Sequence, residues 1–201
     1  MKKYNLIIFI LLLICSCESD PLEKTIFIPD EKDDNLPAYT EWGYNSFGAK
    51  YERMYFVATN FIVPCKVASR NGILNFSLSG RIGNGYYLPY HDNVEMSLTF
   101  SFPMSGINEY EDLIALHKKE IDLTGASCEV KMTRGYKTEV LTVSSGRLNF
   151  KRAQLLRVDD KKNRVILSGV FNIRFLRNDI PEVMSDGRFD LGITEVFNLS
   201  E

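Results

Sequence analysis

From Ser46 onward apolar and polar residues alternate along the chain. Leu74 to Ser79 reads Leu-Asn-Phe-Ser-Leu-Ser, and Val94 to Phe102 places Val94, Met96, Leu98, Phe100 and Phe102 on one face. A period of two means one face buried and one wetted, which suits antiparallel sheet. Arg147–Phe150 and Gln154–Val158 read as two further strands, followed by a turn over Asp159–Asn163. The next strand opens on the run Val165-Ile166-Leu167 and then falls into phase at Phe171, Ile173 and Phe175. Asp186-Gly187 reads as a turn before a last strand carrying Phe189, Leu191 and Ile193, and the glycines of Gly80–Gly85 read as a hairpin turn. One stretch departs from the pattern. Asn108 to Leu116 has apolar residues at helical spacing and acids in its first turn, which predicts a helix of no more than two turns. The expected fold is mainly β: an antiparallel β-sandwich or small β-barrel with one short helix.

The first residues follow another rule. Met1-Lys2-Lys3 is basic, Leu6 to Ile14 is nine apolar residues without a break, and Cys15-Ser16-Cys17 leads into Glu18-Ser19-Asp20. A membrane-spanning helix needs about 20 apolar residues, so this run is too short. Apolar on every side, it also lacks the polar face of a surface helix. A basic start, short apolar run and small residue before a cut site make up a secretory signal. Ile14-Cys15-Ser16-Cys17 resembles a bacterial lipobox, which implies cleavage before Cys17 and acylation of its thiol and new amino terminus. The expected organisation is a signal peptide over 1–16, a flexible tether over 17–39 and a single β domain over 40–201. The tether reading rests on Pro21, Pro29 and Pro37 and the acidic cluster Asp30-Glu31-Lys32-Asp33-Asp34. That cluster lacks the spacing of a calcium loop, so no metal is expected.

Removal of residues 1–16 takes away Lys2 and Lys3 and no acid, leaving 22 basic against 26 acidic residues and a net charge of −4. With no basic block, nucleic acid is not an expected partner. Cys65 and Cys128, both in strand-like surroundings, are candidates for a disulfide outside the cytoplasm, or else two separate buried thiols.

No Gly-x-Ser-x-Gly, His-Glu-x-x-His, Cys-x-x-Cys or phosphate-loop motif occurs. No cofactor and no catalytic residue is assigned, and a hydrolase is the least favoured reading. Glu95 and Glu129 are strand acids on wetted faces, a weak candidate pair for glycoside hydrolysis. His117 reads as a solvated residue just past the short helix. The segment that best suits binding is Gly83–Asn93, with Tyr86, Tyr87, Tyr90 and His91 beside Asp92 and Asn93. Aromatic rings with polar tips favour contact with a glycan, a peptide or an envelope protein. The alternative is that these tyrosines cover the end of the core.

Four segments carry a family resemblance: Thr40-Glu41-Trp42-Gly43-Tyr44-Asn45-Ser46-Phe47-Gly48, Ser145-Gly146-Arg147-Leu148-Asn149-Phe150, Leu167-Ser168-Gly169-Val170-Phe171 and Asp186-Gly187-Arg188-Phe189-Asp190. In this order they resemble an uncharacterised lipoprotein family of the Bacteroidota, a domain of unknown function. The resemblance spans about residues 40–194 and transfers no catalytic residue. Glu18-Ser19-Asp20 resembles the signal that sends such lipoproteins to the cell surface. The expectation is an outer-membrane protein, lipid-anchored through Cys17 and displayed at the cell surface rather than on the periplasmic face. Its β domain binds a ligand or partner, or else serves as an accessory subunit of an outer-membrane complex.

Overall fold

A computed structural model describes residues 25–59, 64–86, 94–158 and 161–198. Its strands are β1 (Ser46–Tyr51), β2 (Met54–Val57), β3 (Cys65–Arg70), β4 (Ile73–Gly83), β5 (Val94–Pro103), β6 (Glu120–Asp122), β7 (Glu129–Arg134), β8 (Lys137–Val140), β9 (Thr142–Val158), β10 (Lys161–Arg177), β11 (Ile180–Ile193) and β12 (Phe197–Asn198). They form one sheet in the order β6-β9-β10-β11-β1-β2-β4-β5-β7-β8. β3 lies beside β2 on the same edge of β4, and β12 runs parallel to β3. The other pairings are antiparallel, and the sheet curls into a half-barrel, as the alternation predicts.

The curl exists because the apolar phases of both halves of the sheet face each other. Phe76 of β4 meets Phe150 of β9 at 5.5 Å and Phe189 of β11 at 5.1 Å between ring centroids. Phe100 of β5 meets Phe171 of β10 edge-on at 5.4 Å. All five rings are buried. Tilted and edge-on pairs of this kind contribute beyond the area they bury. They join strands that are remote in the sheet order, so the aromatic layer holds the curl closed.

Several local expectations are corrected. The two strands read at 147–150 and 154–158 are the single strand β9. Its register against β10 slips between Phe150 and Arg152, so Lys151 is the extra residue of a bulge and the apolar phase moves from Phe150 to Ala153. Asp186-Gly187 is not a turn. It lies inside β11 at a bulge, with Asp186 at φ +53°. The turn before β11 is Asn178-Asp179, at φ +50° and +63°, the pair of left-handed residues that a two-residue hairpin requires. β4 continues through Gly83, past the expected turn at Gly80. The short helix is a 3₁₀ helix over Tyr110–Leu116, started by a Glu109–Asp112 capping box, with Leu113 and Leu116 buried.

The largest correction concerns the tether. Residues 25–39 are folded onto the outer face of the sheet. The Ile26 N–H donates to the Tyr44 carbonyl at 2.8 Å, and the Ala38 N–H to the Ile28 carbonyl at 2.7 Å. Leu36 is fully buried. It packs with Pro37 over Gly48, where any Cβ would collide with the Pro37 ring. The acidic residues of this strap are its fasteners: Arg188 donates to Asp30 at 2.6 Å, and Asp33 takes the Lys50 ammonium at 2.9 Å and the Tyr55 hydroxyl at 3.1 Å. An acidic, proline-rich composition suggests solvation, but it does not reveal that three of its acids' partners wait on β1, β2 and β11.

The fasteners titrate. The Lys32 N–H, with help from Arg188, holds the Asp30 carboxyl below its ordinary 3.8. Burial pushes Asp33 up, but the Lys50, Asn35 and Tyr55 hydrogen bonds outweigh it and leave that carboxyl below 3.8 as well. Carboxyls lowered in the folded state stabilise it above their unfolded values, and that contribution is lost as the pH falls through the folded ones. Peptide-resolved hydrogen exchange is expected to show residues 26–38 protected at pH 7 and at pH 5. Below pH 4 they are expected to open before the β9–β10–β11 core does.

Candidate functional site

Of the residues singled out for binding, Tyr86 alone is among the described residues. Tyr87, Tyr90, His91, Asp92 and Asn93 lie outside them, as does Cys17. The Tyr86 ring stacks on Phe27 of the strap, with centroids 3.6 Å apart and planes 12° from parallel. At Tyr86 the ring therefore packs the strap against the end of β4.

Beside the start of β5 a shallow groove of about 220 Å³ is lined by Ser79, Gly80, Glu95, Met96, Ser97, Thr133 and Gly135. It lies on the outer face of β4, β5 and β7, where β-pairing aligns Ser79 with Ser97 and Ser97 with Thr133. The same face carries paired hydroxyls and amides: Ser77 with Thr99 at 2.8 Å, Ser101 with Asn75 at 2.7 Å, and Thr133 with Thr138 at 2.9 Å. Such a surface offers short donors and acceptors on a rigid frame, the chemistry for polar contacts with a hydroxylated or peptide ligand. Glu95 and Glu129 do not make a hydrolytic pair. Glu129 is opposite Ser101, six residues along β5 from Glu95, a separation of about 20 Å at the rise of a strand. Retaining and inverting hydrolysis need about 5 to 10 Å.

A second polar cluster closes one end of the half-barrel. The Tyr51 hydroxyl, on a ring that is buried, donates to Glu182. Arg177 donates to Glu182 at 3.3 Å and to Glu139 at 2.9 Å, and Lys137 pairs with Glu139. Burial, with the Glu182 carboxylate beside it, pushes the Tyr51 hydroxyl up to about 12. It is therefore a hydrogen-bond donor at neutral pH and no proton acceptor. The cluster links β8 to the tips of β10 and β11 and reads as a structural tie. His117, exposed as expected, also accepts the Ala153 N–H at 3.3 Å and so helps cover the open edge of β9.

Cys65 and Cys128 are free thiols. Cys65 begins β3 and Cys128 directly precedes β7, with β4 and β5 between them, so three strand spacings of about 4.8 Å separate their rows. That is beyond the Cα reach of a disulfide, about 7 Å. Burial raises the Cys65 thiol far above its usual range, and it behaves as an apolar core residue.

The most concentrated polar site was not foreseen. Asp190, 1% exposed, points from the outer face of β11 into the loop 40–44. Its carboxylate accepts the Thr40 hydroxyl at 2.6 Å and the N–H groups of Trp42 at 3.0 Å, Gly43 at 2.6 Å and Tyr44 at 3.4 Å. Gly43 is at φ +76°, which turns successive N–H groups toward one point. Asn45 completes the clamp by accepting the Gly192 N–H at 2.9 Å. Above this, the Tyr39 hydroxyl donates to Glu41 at 2.8 Å and sits 3.4 Å from Ser168. The carboxylate is saturated by its own chain, so it fixes the loop and leaves little capacity for a ligand. The signal was present in the sequence, since Thr40–Gly48 and Asp186–Asp190 are two of the four motifs. Only the register of β11 against β1, which pairs Ser46 with Asp190, brings them together.

Asp190→Ala leaves the buried Gly43 N–H and the part-buried Trp42 and Tyr44 N–H groups unpaired, and a buried group left so costs about 1 to 3 kcal/mol. Urea unfolding followed by circular dichroism is expected to show a loss of about 3 kcal/mol or more with the β spectrum retained.

In comparisons with known proteins, no family model matches the chain, and no curated protein or solved structure matches it.

Proposed function

We propose that this chain is a lipid-anchored protein of the cell envelope, of the Bacteroidota lipoprotein kind that its motifs resemble. Its β domain binds a ligand or partner protein and performs no chemistry of its own. The basic start, the short apolar run and the lipobox ending at Cys17 support the anchor. Glu18-Ser19-Asp20 supports display at the cell surface. The observation that carries the reading is how near Cys17 the strap is fastened: Thr25, eight residues on, is buried, and the Ile26 N–H donates to the Tyr44 carbonyl. The hydroxyl-lined groove on β4, β5 and β7 supports binding of a polar ligand such as a glycan or peptide.

A second reading, an accessory subunit of an outer-membrane complex, has its own support. Val140, Leu176 and Ile180 are exposed apolar residues at the end of β8 and at the β10–β11 tip. Leu176 is paired with Thr142, two residues beyond Val140, so they share one region of the surface. Exposed apolar groups gathered in this way suit a protein contact.

Cys17→Ala is expected to release the protein from the membrane fraction or to stall its processing. Extracellular protease added to intact cells is expected to remove the wild-type domain. A Cys17→Ala protein that is processed and membrane-bound like wild type contradicts the anchor, and a domain protected on intact cells contradicts surface display.

A further inference from the structure

We infer that the loop over residues 40–44 is the bilayer-facing end of the domain, with Trp42 seated in the membrane interface; this rests on the anchoring at Cys17 proposed above. From Cys17 to Thr25 there are eight residue steps, which span at most about 28 Å fully extended. Had the whole stretch to Tyr39 been a free tether, as its composition suggests, the reach would have been more than twice that. The strap removes this freedom. Its first hydrogen bond joins Ile26 to the Tyr44 carbonyl, so the point where the anchor enters the fold is beside the loop that Asp190 clamps.

That loop carries Trp42, two residues from Tyr44 and 67% exposed. A large aromatic ring this exposed on a loose loop would be unremarkable, but this loop is not loose. The Trp42 N–H is held inward by Asp190 and its neighbour Gly43 more tightly still, so the ring is presented outward on a rigid base. Ile26 and Ile28, spaced by two in the strap, add apolar surface at 46% and 40% exposure. Tryptophan prefers the headgroup level of a bilayer, where its ring is sheltered and its indole N–H stays wet. The charges nearby are paired, Glu41 with Arg152 and Asp30 with Arg188, and they form no basic cluster that would draw an anionic headgroup. The surface that fits is therefore zwitterionic lipid, and an anionic one is disfavoured.

Trp42 is the one tryptophan of the chain, so its fluorescence reports on this loop alone. The acylated full-length protein would be reconstituted into phosphatidylcholine vesicles with or without bromine on the acyl chains. Trp42 emission is expected to shift to the blue on vesicle binding and to be strongly quenched by the brominated lipid. The reference is Tyr136→Trp in a Trp42→Phe background. Tyr136 is fully exposed in the turn between β7 and β8, with β2, β4 and β5 separating β7 from β1, and a tryptophan there is expected to escape quenching. Vesicle-bound protein whose Trp42 is not quenched overturns the inference while leaving the anchor intact. Equal quenching at both positions overturns it too, because the domain then has no preferred orientation. A blue shift that depends on protein concentration and not on lipid assigns the loop to a second copy and also overturns it. Protein that stays off the vesicles removes the anchor and the inference together.

Discussion

The Asp190 carboxylate is the constraint on which the outer layer of this molecule depends. It is buried, and tolerable there because the chain itself supplies its donors. One hydroxyl and three backbone N–H groups converge here on one side chain. The loop they hold ends at Tyr44, and Tyr44 receives the strap. Release of Asp190 would therefore free the loop, and then the strap.

A covered outer face also explains the composition of β10. Val165 through Gly169 are buried on both faces, since inward residues meet the aromatic core and outward ones lie under the loop and strap. Ile166 packs against Gly43, and Ser168 is beside the Tyr39 hydroxyl. Strands buried on both faces read as continuous apolar runs, and the run Val165-Ile166-Leu167 is one. On the opposite half, β4, β5 and β7 have no such cover among the described residues. Their outer positions include Asn75, Ser77, Ser79, Ser97, Thr99 and Thr133, together with the charged Arg81, Glu95 and Lys131, and it is there that the groove opens. The two halves of one sheet thus differ in what lies over them: one is committed to the fold and the other presents a polar surface.

The alternation at Leu74–Ser79 and Val94–Phe102 made the β class legible, because each of those strands buries one face only. Legibility failed where a residue's partner was remote. Lys151 is an extra residue in an otherwise continuous β9, and a bulge shifts the apolar phase in a way that reads as two strands. Asp186-Gly187 has the letters of a hairpin turn, yet its left-handed aspartate serves a bulge. The strap was misread for a related reason: Asp30 and Asp33 look solvated until Arg188 and Lys50 are placed opposite them, and Leu36 looks incidental until Gly48 leaves room for it. Of the site, the motif residues around Asp190 were visible as motifs, but their convergence depends on a pairing between residues nearly 150 positions apart.

A buried carboxylate, and not sheet pairing, holds the loop over residues 40–44. Native-state hydrogen exchange at the amides of Trp42, Gly43 and Tyr44 tests it most directly. These amides lie outside the strands, so without the clamp they would exchange at the rate of an exposed loop. The account predicts protection approaching that of the β10–β11 ladder, lost together at all three when Asp190 is replaced by alanine. Fast exchange at these amides in the wild-type protein, or protection that survives the replacement, would contradict it.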